Sequence, residues 1–167
     1  FGDGATSEGD FHSAMNFAGE YKAPTIFMCQ NNQWAISTPV KEQTASLTLA
    51  QKAIAYGFEG IQIDGNDVFA VFKAFNEALV KARTGGGPTF IECFTYRLGD
   101  HTTSDDASKY RNEKEVKEWE KKDPIRRFQQ YLTAKKLWNK SYEQQLIKKC
   151  QQKVEAAVKK AESILKK

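Results

Sequence analysis

The sequence predicts an α/β fold, a parallel sheet with helices on both faces, followed by a basic helical C-terminal extension. Three observations carry that expectation. Short apolar, β-rich runs alternate with helix-period stretches in the first part of the chain, the pattern of strands joined by crossover helices. After Tyr110 the texture changes to segments rich in lysine and glutamate with helical spacing. The charge divides at the same place: residues 1–111 hold 9 Lys and Arg against 13 Asp and Glu, whereas residues 112–167 hold 16 against 8. The expected domains are therefore 1–111 and 112–167.

The first helix is expected over residues 10–21, and the first strand over 25–30, where TIFMCQ is an unbroken apolar and β-branched run. A helix over 47–56 leads to a strand at 60–64 (GIQID), and a helix over 68–83 leads to a strand at 89–96 (TFIECFTY). Such continuous runs are expected of strands covered on both faces. In the helix over 68–83, Phe69, Phe72, Phe75, Ala78 and Leu79 recur at three- and four-residue steps and read as its buried stripe. Gly85-Gly86-Gly87-Pro88 has the composition of a phosphate cradle, but a helix stop before the next strand accounts for it. Three more helices are expected over 113–122, 124–134 and 142–166, with Trp119, Ile125, Phe128, Leu132, Leu146, Val154, Val158 and Leu165 as apolar seams. Asp123-Pro124 supplies an N-cap and a first-turn proline for the second of them.

With 40% hydrophobic and 28% charged residues, the 167-residue chain suits one globular domain, or one domain and a helical extension. No apolar run approaches the ~18 residues a membrane span needs, and no basic, apolar leader precedes Phe1, whose sequence reads as the middle of something longer. Cys29, Cys93 and Cys150 are odd in number and widely spaced, unlike a disulfide framework or a Cys-x-x-Cys metal site, so a reducing, intracellular compartment is expected, cytoplasmic in a bacterium or the mitochondrial matrix in a eukaryote.

Chemistry concentrates in three stretches. The opening segment, residues 2–10 (GDGATSEGD), is small, flexible and acidic and leads into a helix. Backbone N–H groups of such a turn surround an anion, while a neighbouring carboxylate holds a hard cation that bridges to it. A diphosphate with magnesium suits both. The segment lacks the Gly-x-Gly-x-x-Gly spacing and the Lys-Ser/Thr of a P-loop, which leaves nicotinamide and nucleoside triphosphate binding without support. Alone it is equally an ordinary strand-to-helix turn. Twenty-six residues separate Gly4 from Asn31-Asn32, which stand at the carboxyl end of the first strand. Carboxyl ends of parallel strands share one sheet edge, so Asp3 and Asn32 are expected to meet above it. The third stretch, residues 96–106 (YRLGDHTTSDD), follows the strand 89–96 at the same edge. Of the two histidines, His12 falls on the first helix and reads as a surface or packing residue; His101 sits in a polar loop where an imidazole moves protons near neutral pH.

Gly2-Asp3-Gly4, the gap, Asn31-Asn32 and the surrounding text (GDGATSEGDFH, QNNQWAISTP, DGNDVFAV, TYRLGDHTTSDD, KYR) match the thiamine diphosphate motif. They resemble the alpha subunit of the decarboxylating component of 2-oxo acid dehydrogenase complexes, over residues 1 to about 138 and more loosely beyond. Within that family, residues 35–57 look most like bacterial pyruvate dehydrogenase alpha subunits and less like the branched-chain enzymes. The resemblance implies a thiamine diphosphate-binding fold, incomplete at its N-terminus. It implies magnesium bound by Asp3, the Asn32 side chain and the main-chain oxygen of Trp34, and diphosphate held by backbone donors of Gly4 and Ala5. Gln30 stands where some relatives have an arginine on the diphosphate; a neutral amide offers only a hydrogen bond. His101 is implied to contact the cofactor and assist acyl transfer to a lipoyl arm, with Arg97 and Asp105 holding its loop. A solvated surface pair is the plainer reading of those two. The residue after His101 is Thr102, where animal relatives have a phosphorylated serine, so that regulation is not expected.

The implied activity is decarboxylation of pyruvate, with acetyl transfer to the lipoyl group of an acyltransferase component, at a site shared with a beta subunit in an alpha2beta2 heterotetramer. The alternatives are a branched-chain 2-oxo acid enzyme and a transketolase-like or acetoin-cleaving one. A non-enzymatic rival reads the basic C-terminal third as a nucleic-acid or acidic-protein binding module. Lysines interleaved with glutamates, as in EKEVKEWEKK, favour a solvated helix face instead, and neither nucleic acid nor membrane is an expected partner.

Overall fold

The protein's structure is a computed structural model that describes residues 1–165. In chain order the strands are β1 (Ile26–Asn31), β2 (Trp34–Ala35), β3 (Thr38–Pro39), β4 (Glu59–Asp64) and β5 (Thr89–Phe94). The α-helices are α1 (Gly9–Glu20), α2 (Val40–Gln43), α3 (Val68–Arg83), α4 (Glu113–Glu120), α5 (Pro124–Ala134) and α6 (Lys140–Leu165). Short 3-10 helices cover Asp3–Ser7, Ala50–Tyr56 and Ala107–Lys109. Strands β1, β5 and β4 form a parallel sheet in that spatial order, and β2 pairs antiparallel with β3.

Side chains of the sheet alternate between two layers, as a period of two requires. On one face Cys29 and Phe90 pack with Phe11 and Met15 of α1 and with Leu49, Ala50 and Ala53 around the second 3-10 helix. On the other, Ile91 and Cys93 pack with Ala74 and Ala78 of α3, joined by Ile26, Met28, Ile61 and Ile63. Fully burying side chains such as Phe90 or Met15 contributes roughly 1.5–3 kcal/mol each. Helices on both faces of a parallel sheet are the predicted class.

Three expectations change. Only β5 is buried along its length; β1 and β4 are edge strands among the described residues and keep partial exposure. The helix expected over 47–56 is a 3-10 helix beginning at Ala50. Thr48 and Gln51 exchange side-chain and backbone hydrogen bonds ahead of it, which holds Leu47 and Thr48 outside. In α3 the periodicity predicts the helix and the burial of Ala78, but not the rest of the inner face: Ala74 and Ala82 are buried beside Ala78, while Phe69 and Phe72 are 49% and 69% exposed. Small side chains let the helix lie close on the sheet, so the alanine row wins the inner position. Asp67 caps its start by accepting from Phe69 N and Ala70 N, and Gly86 N on Lys81 O closes its end, as the glycine run predicts.

Residues Phe1–Pro124 make one compact unit. Helix α4 belongs to it, beyond the sequence-based boundary at 111, because Trp119 stacks on Tyr96 at 5.4 Å and meets Phe94 edge-on at 5.6 Å. A second unit begins at Ile125. Within it Gln129 donates to Glu143 at 3.0 Å and Trp138 packs edge-on against Tyr142. Of the seam residues expected there, Ile125, Leu146, Val154, Val158 and Leu165 are exposed, while Phe128 and Leu132 are half-buried. The predicted end of the last helix, Lys166, lies outside the described residues.

Candidate cofactor and metal site

The carboxyl edge of the sheet collects the singled-out residues. Gly2 bridges Gln30 in parallel register, and Gln30 N donates to Phe1 O at 2.8 Å, so the opening segment runs alongside the end of β1. The chain then turns into the Asp3–Ser7 3-10 helix, where Ala5 N closes the first turn on Gly2 O at 3.2 Å. Gly4 faces β2 so closely that a Cβ there would stand 2.8 Å from the Cβ of Ala35. Glycine is what allows the two halves of the motif to touch.

Asp3 is 1% exposed. Its Oδ2 accepts from Gln43 Nε2 at 2.9 Å, and it enters none of the ion pairs among the described residues. A carboxylate buried with a neutral amide is under-neutralised, and it fits a bound cation. Gln43, the last residue of α2, also donates to Thr38 O, while its own buried Oε1 has no partner.

The Asn31–Trp34 turn is built by its own side chains. Asn31 Oδ1 accepts from Gln33 N and Asn32 Oδ1 from Trp34 N, both at 3.0 Å, around a left-handed Gln33 with φ 70°. Asn32 N donates to Gln30 O, and Asn32 O accepts from Arg97 N. The Trp34 carbonyl accepts from Arg97 Nη1 at 3.2 Å, leaving its second lone pair. Hard oxygens from a carboxylate, an amide and a carbonyl form the donor set that suits magnesium. No group of three His, Cys, Asp or Glu with metal-ligand geometry occurs among the described residues. Gln30 is exposed and lies in the alternation with Ile26 and Met28, on the α3 side of β1, away from the face of Asn31.

Arg97 ties the histidine loop to this turn. Its Nη2 donates to Ile36 O and to the Tyr110 hydroxyl, each at 2.7 Å. Tyr110 in turn donates to Asp105 Oδ2 at 2.6 Å, and the same oxygen accepts from His101 N at 2.8 Å. Arg97 and Asp105 are therefore joined through a phenol rather than in a direct ion pair. That phenol, followed by the loop's backbone donors, holds the Asp105 carboxyl below the usual range. Burial, then the Asp105 bond, pushes the Tyr110 phenol up. Arg111 closes the loop from behind, donating to the carbonyls of Arg97, Leu98 and Gly99. His101 itself is exposed on the loop, whereas His12 Nδ1 pairs with the Tyr56 hydroxyl at 2.6 Å, a packing contact. Burial pushes the Cys29 thiol up to about 12, which removes it from nucleophilic chemistry.

Sequence reasoning does not single out Gln43, Tyr110 or Lys52, whose ammonium donates to Thr6 O at 2.7 Å and whose pKa burial lowers. It also passes over Glu92, although a lone acid inside the apolar run TFIECF is a signal.

The family described as Dehydrogenase E1 component matches residues 1–167. The chain is similar to the pyruvate dehydrogenase E1 component subunit alpha of Staphylococcus epidermidis, 52% identical over 163 residues, 97% of this chain and 44% of that protein. The protein of the same name in Staphylococcus aureus matches with the same identity and the same shares. The chain thus spans less than half the length of these relatives.

Proposed function

Since the chain belongs to the dehydrogenase E1 component family, we propose that it forms the diphosphate- and magnesium-binding part of a pyruvate dehydrogenase alpha subunit. The overall reaction consumes pyruvate and a lipoyl disulfide and yields carbon dioxide and an acetyl thioester on the lipoyl group. Thiamine diphosphate, when bound, supplies the electron sink for loss of carbon dioxide.

The chain's own residues bind, orient and move protons. Asp3, the Asn32 amide oxygen and the Trp34 carbonyl would hold magnesium, and the backbone N–H of Gly4, with that of Ala5 shared with Gly2 O, would donate to the diphosphate. Gln30 takes no part with its charge, having none. The His101 imidazole exchanges a proton through a ring nitrogen during acyl transfer. Arg97, Tyr110 and Asp105 keep its loop docked on the magnesium turn. A beta subunit, in an alpha2beta2 arrangement, completes the site, and the lipoyl arm of an acyltransferase component delivers the acceptor.

The observation that carries this reading is the under-neutralised Asp3 carboxylate in a turn that packs against Ala35, the residue after the Asn31–Trp34 turn. Calorimetry on the full-length chain with its beta partner tests it. Wild type should bind thiamine diphosphate only with magnesium, and D3A and N32A should lose that binding; undiminished binding in both variants refutes the site. Turnover of pyruvate set against branched-chain 2-oxo acids and acetoin tests the substrate.

A further inference from the structure

Glu92 lies at the middle of the central strand with no exposed surface, in one cross-strand row with Cys29 and Gln62. An ionised carboxylate there is unfavourable unless its environment is built for it. Three donors from three separate segments supply that environment. Oε1 accepts from Asn31 Nδ2 at 2.7 Å and Gln62 Nε2 at 3.0 Å, and Oε2 accepts from Ala50 N at 2.9 Å. None of the described ion pairs includes it. Sheet packing alone asks for nothing of the kind, since Phe90, two residues earlier on the same face, is apolar.

The Asn31 contact decides the orientation of that amide. With Nδ2 committed to the carboxylate, Oδ1 must point the opposite way, and there it accepts from Gln33 N. Reversing the amide would set an oxygen against the carboxylate and an N–H against an N–H. Gln33 sits at φ 70°, a conformation a non-glycine residue adopts only when its surroundings hold it. The same turn sends Trp34 N back to Asn32 Oδ1.

We propose that Glu92 is a positioning residue for the magnesium turn: by fixing the Asn31 amide it sets the backbone that presents Asn32 and the Trp34 carbonyl. This rests on the metal reading given above. Glu92 touches neither metal nor cofactor and acts through Asn31. Partners of this kind, one layer behind metal ligands, typically change affinity roughly 10- to 100-fold when altered.

A charge swap tests it. E92Q introduces an NH2 group that must face either the Ala50 N–H or the Asn31 and Gln62 amides, so it opposes one donor in the first orientation and two in the second. N31D alone sets two carboxylates together. In the double variant E92Q/N31D the new amide donates to the new carboxylate while its oxygen accepts from Ala50 N–H, and exposed Gln62 is free to turn its amide. The experiment measures magnesium half-saturation for thiamine diphosphate binding, by calorimetry, on the full-length chain assembled with its beta partner. Each single variant should raise it at least about tenfold, and the double variant should recover most of that loss. KM for pyruvate at saturating magnesium and cofactor should stay unchanged, which a general loss of structure would not allow. Wild-type half-saturation in E92Q, or a double variant no better than the worse single, overturns the proposal. If E92Q does not assemble, N31A gives the same readout from the partner side, and unchanged affinity there overturns it too. D3A and N32A run alongside separate the two failures. If they lose binding while E92Q keeps it, only the role of Glu92 falls; if they keep it, the metal reading and this proposal fall together.

Discussion

A methyl group at position 60 would stand 2.0 Å from the carbonyl oxygen of Ala50 and 3.0 Å from the Cβ of Ala53. The neighbour is backbone of a 3-10 helix already seated on β4, so it cannot swing aside. Gly60→Ala should therefore destabilise the chain by about 3 kcal/mol, the upper part of the range for overpacking. A lowered denaturation midpoint at constant slope is the expected reading; an unchanged midpoint would contradict the close seating of that helix. At the same scale, the motif residues and the hidden ones differ in how legible they are. Asp3 and Asn32 can be expected at one sheet edge from sequence because carboxyl ends of parallel strands share an edge. Glu92 and Gln43 cannot, because their partners Asn31 and Asp3 lie 61 and 40 residues away and depend on register and on how one short helix folds back. Tyr110 is hidden for a similar reason: nothing in its spacing says that its hydroxyl will stand between Arg97 and Asp105.

Elements show where periodicity stops being informative. In α3 both the phenylalanine row and the row Ala74, Ala78, Ala82 satisfy helical spacing. Which row faces the sheet is settled by how near the helix axis approaches, and hydrophobicity alone does not encode that. The helix stop at Gly85 is local and readable; the covering of β1 and β4 is not local and is not. The histidine loop gives this scale its prediction. The Asp105 carboxyl is held below its ordinary value chiefly by the Tyr110 phenol. For a lowered carboxyl, the stabilisation is complete above the unfolded value near ~3.9 and is lost as pH falls through the still lower folded value. The loop should thus stay ordered from neutral pH down to about 4 and loosen only in stronger acid. In Y110F the Asp105 titration should move back up, and amides of residues 97–111 should exchange faster at pH 7. An Asp105 titration in Y110F indistinguishable from wild type would break the link between the phenol and the loop.

On the scale of the whole chain, the charge split takes a structural form. The acidic first part carries the candidate site. In the basic last part Lys117 pairs with Glu113 and Lys121 with Glu118, all four well exposed, as a solvated helix face requires. No described helix is long and apolar enough to cross a membrane. The surface is nevertheless unusually apolar in places. Phe69 and Phe72 stand out from α3, Phe17 stacks on Tyr21 at the end of α1, and the three-stranded sheet presents β4 as an edge. Exposed apolar patches and unpaired strand edges drive association. The 167-residue chain expressed alone should therefore self-associate, its weight-average mass by light scattering rising with concentration. F72S, at a position 69% exposed on α3, should reduce that rise while leaving the circular dichroism unchanged. A monodisperse monomer over the whole concentration range would refute the expectation. An F72S variant that associates as strongly as its parent would move the contact from α3 to the sheet edge or to α1.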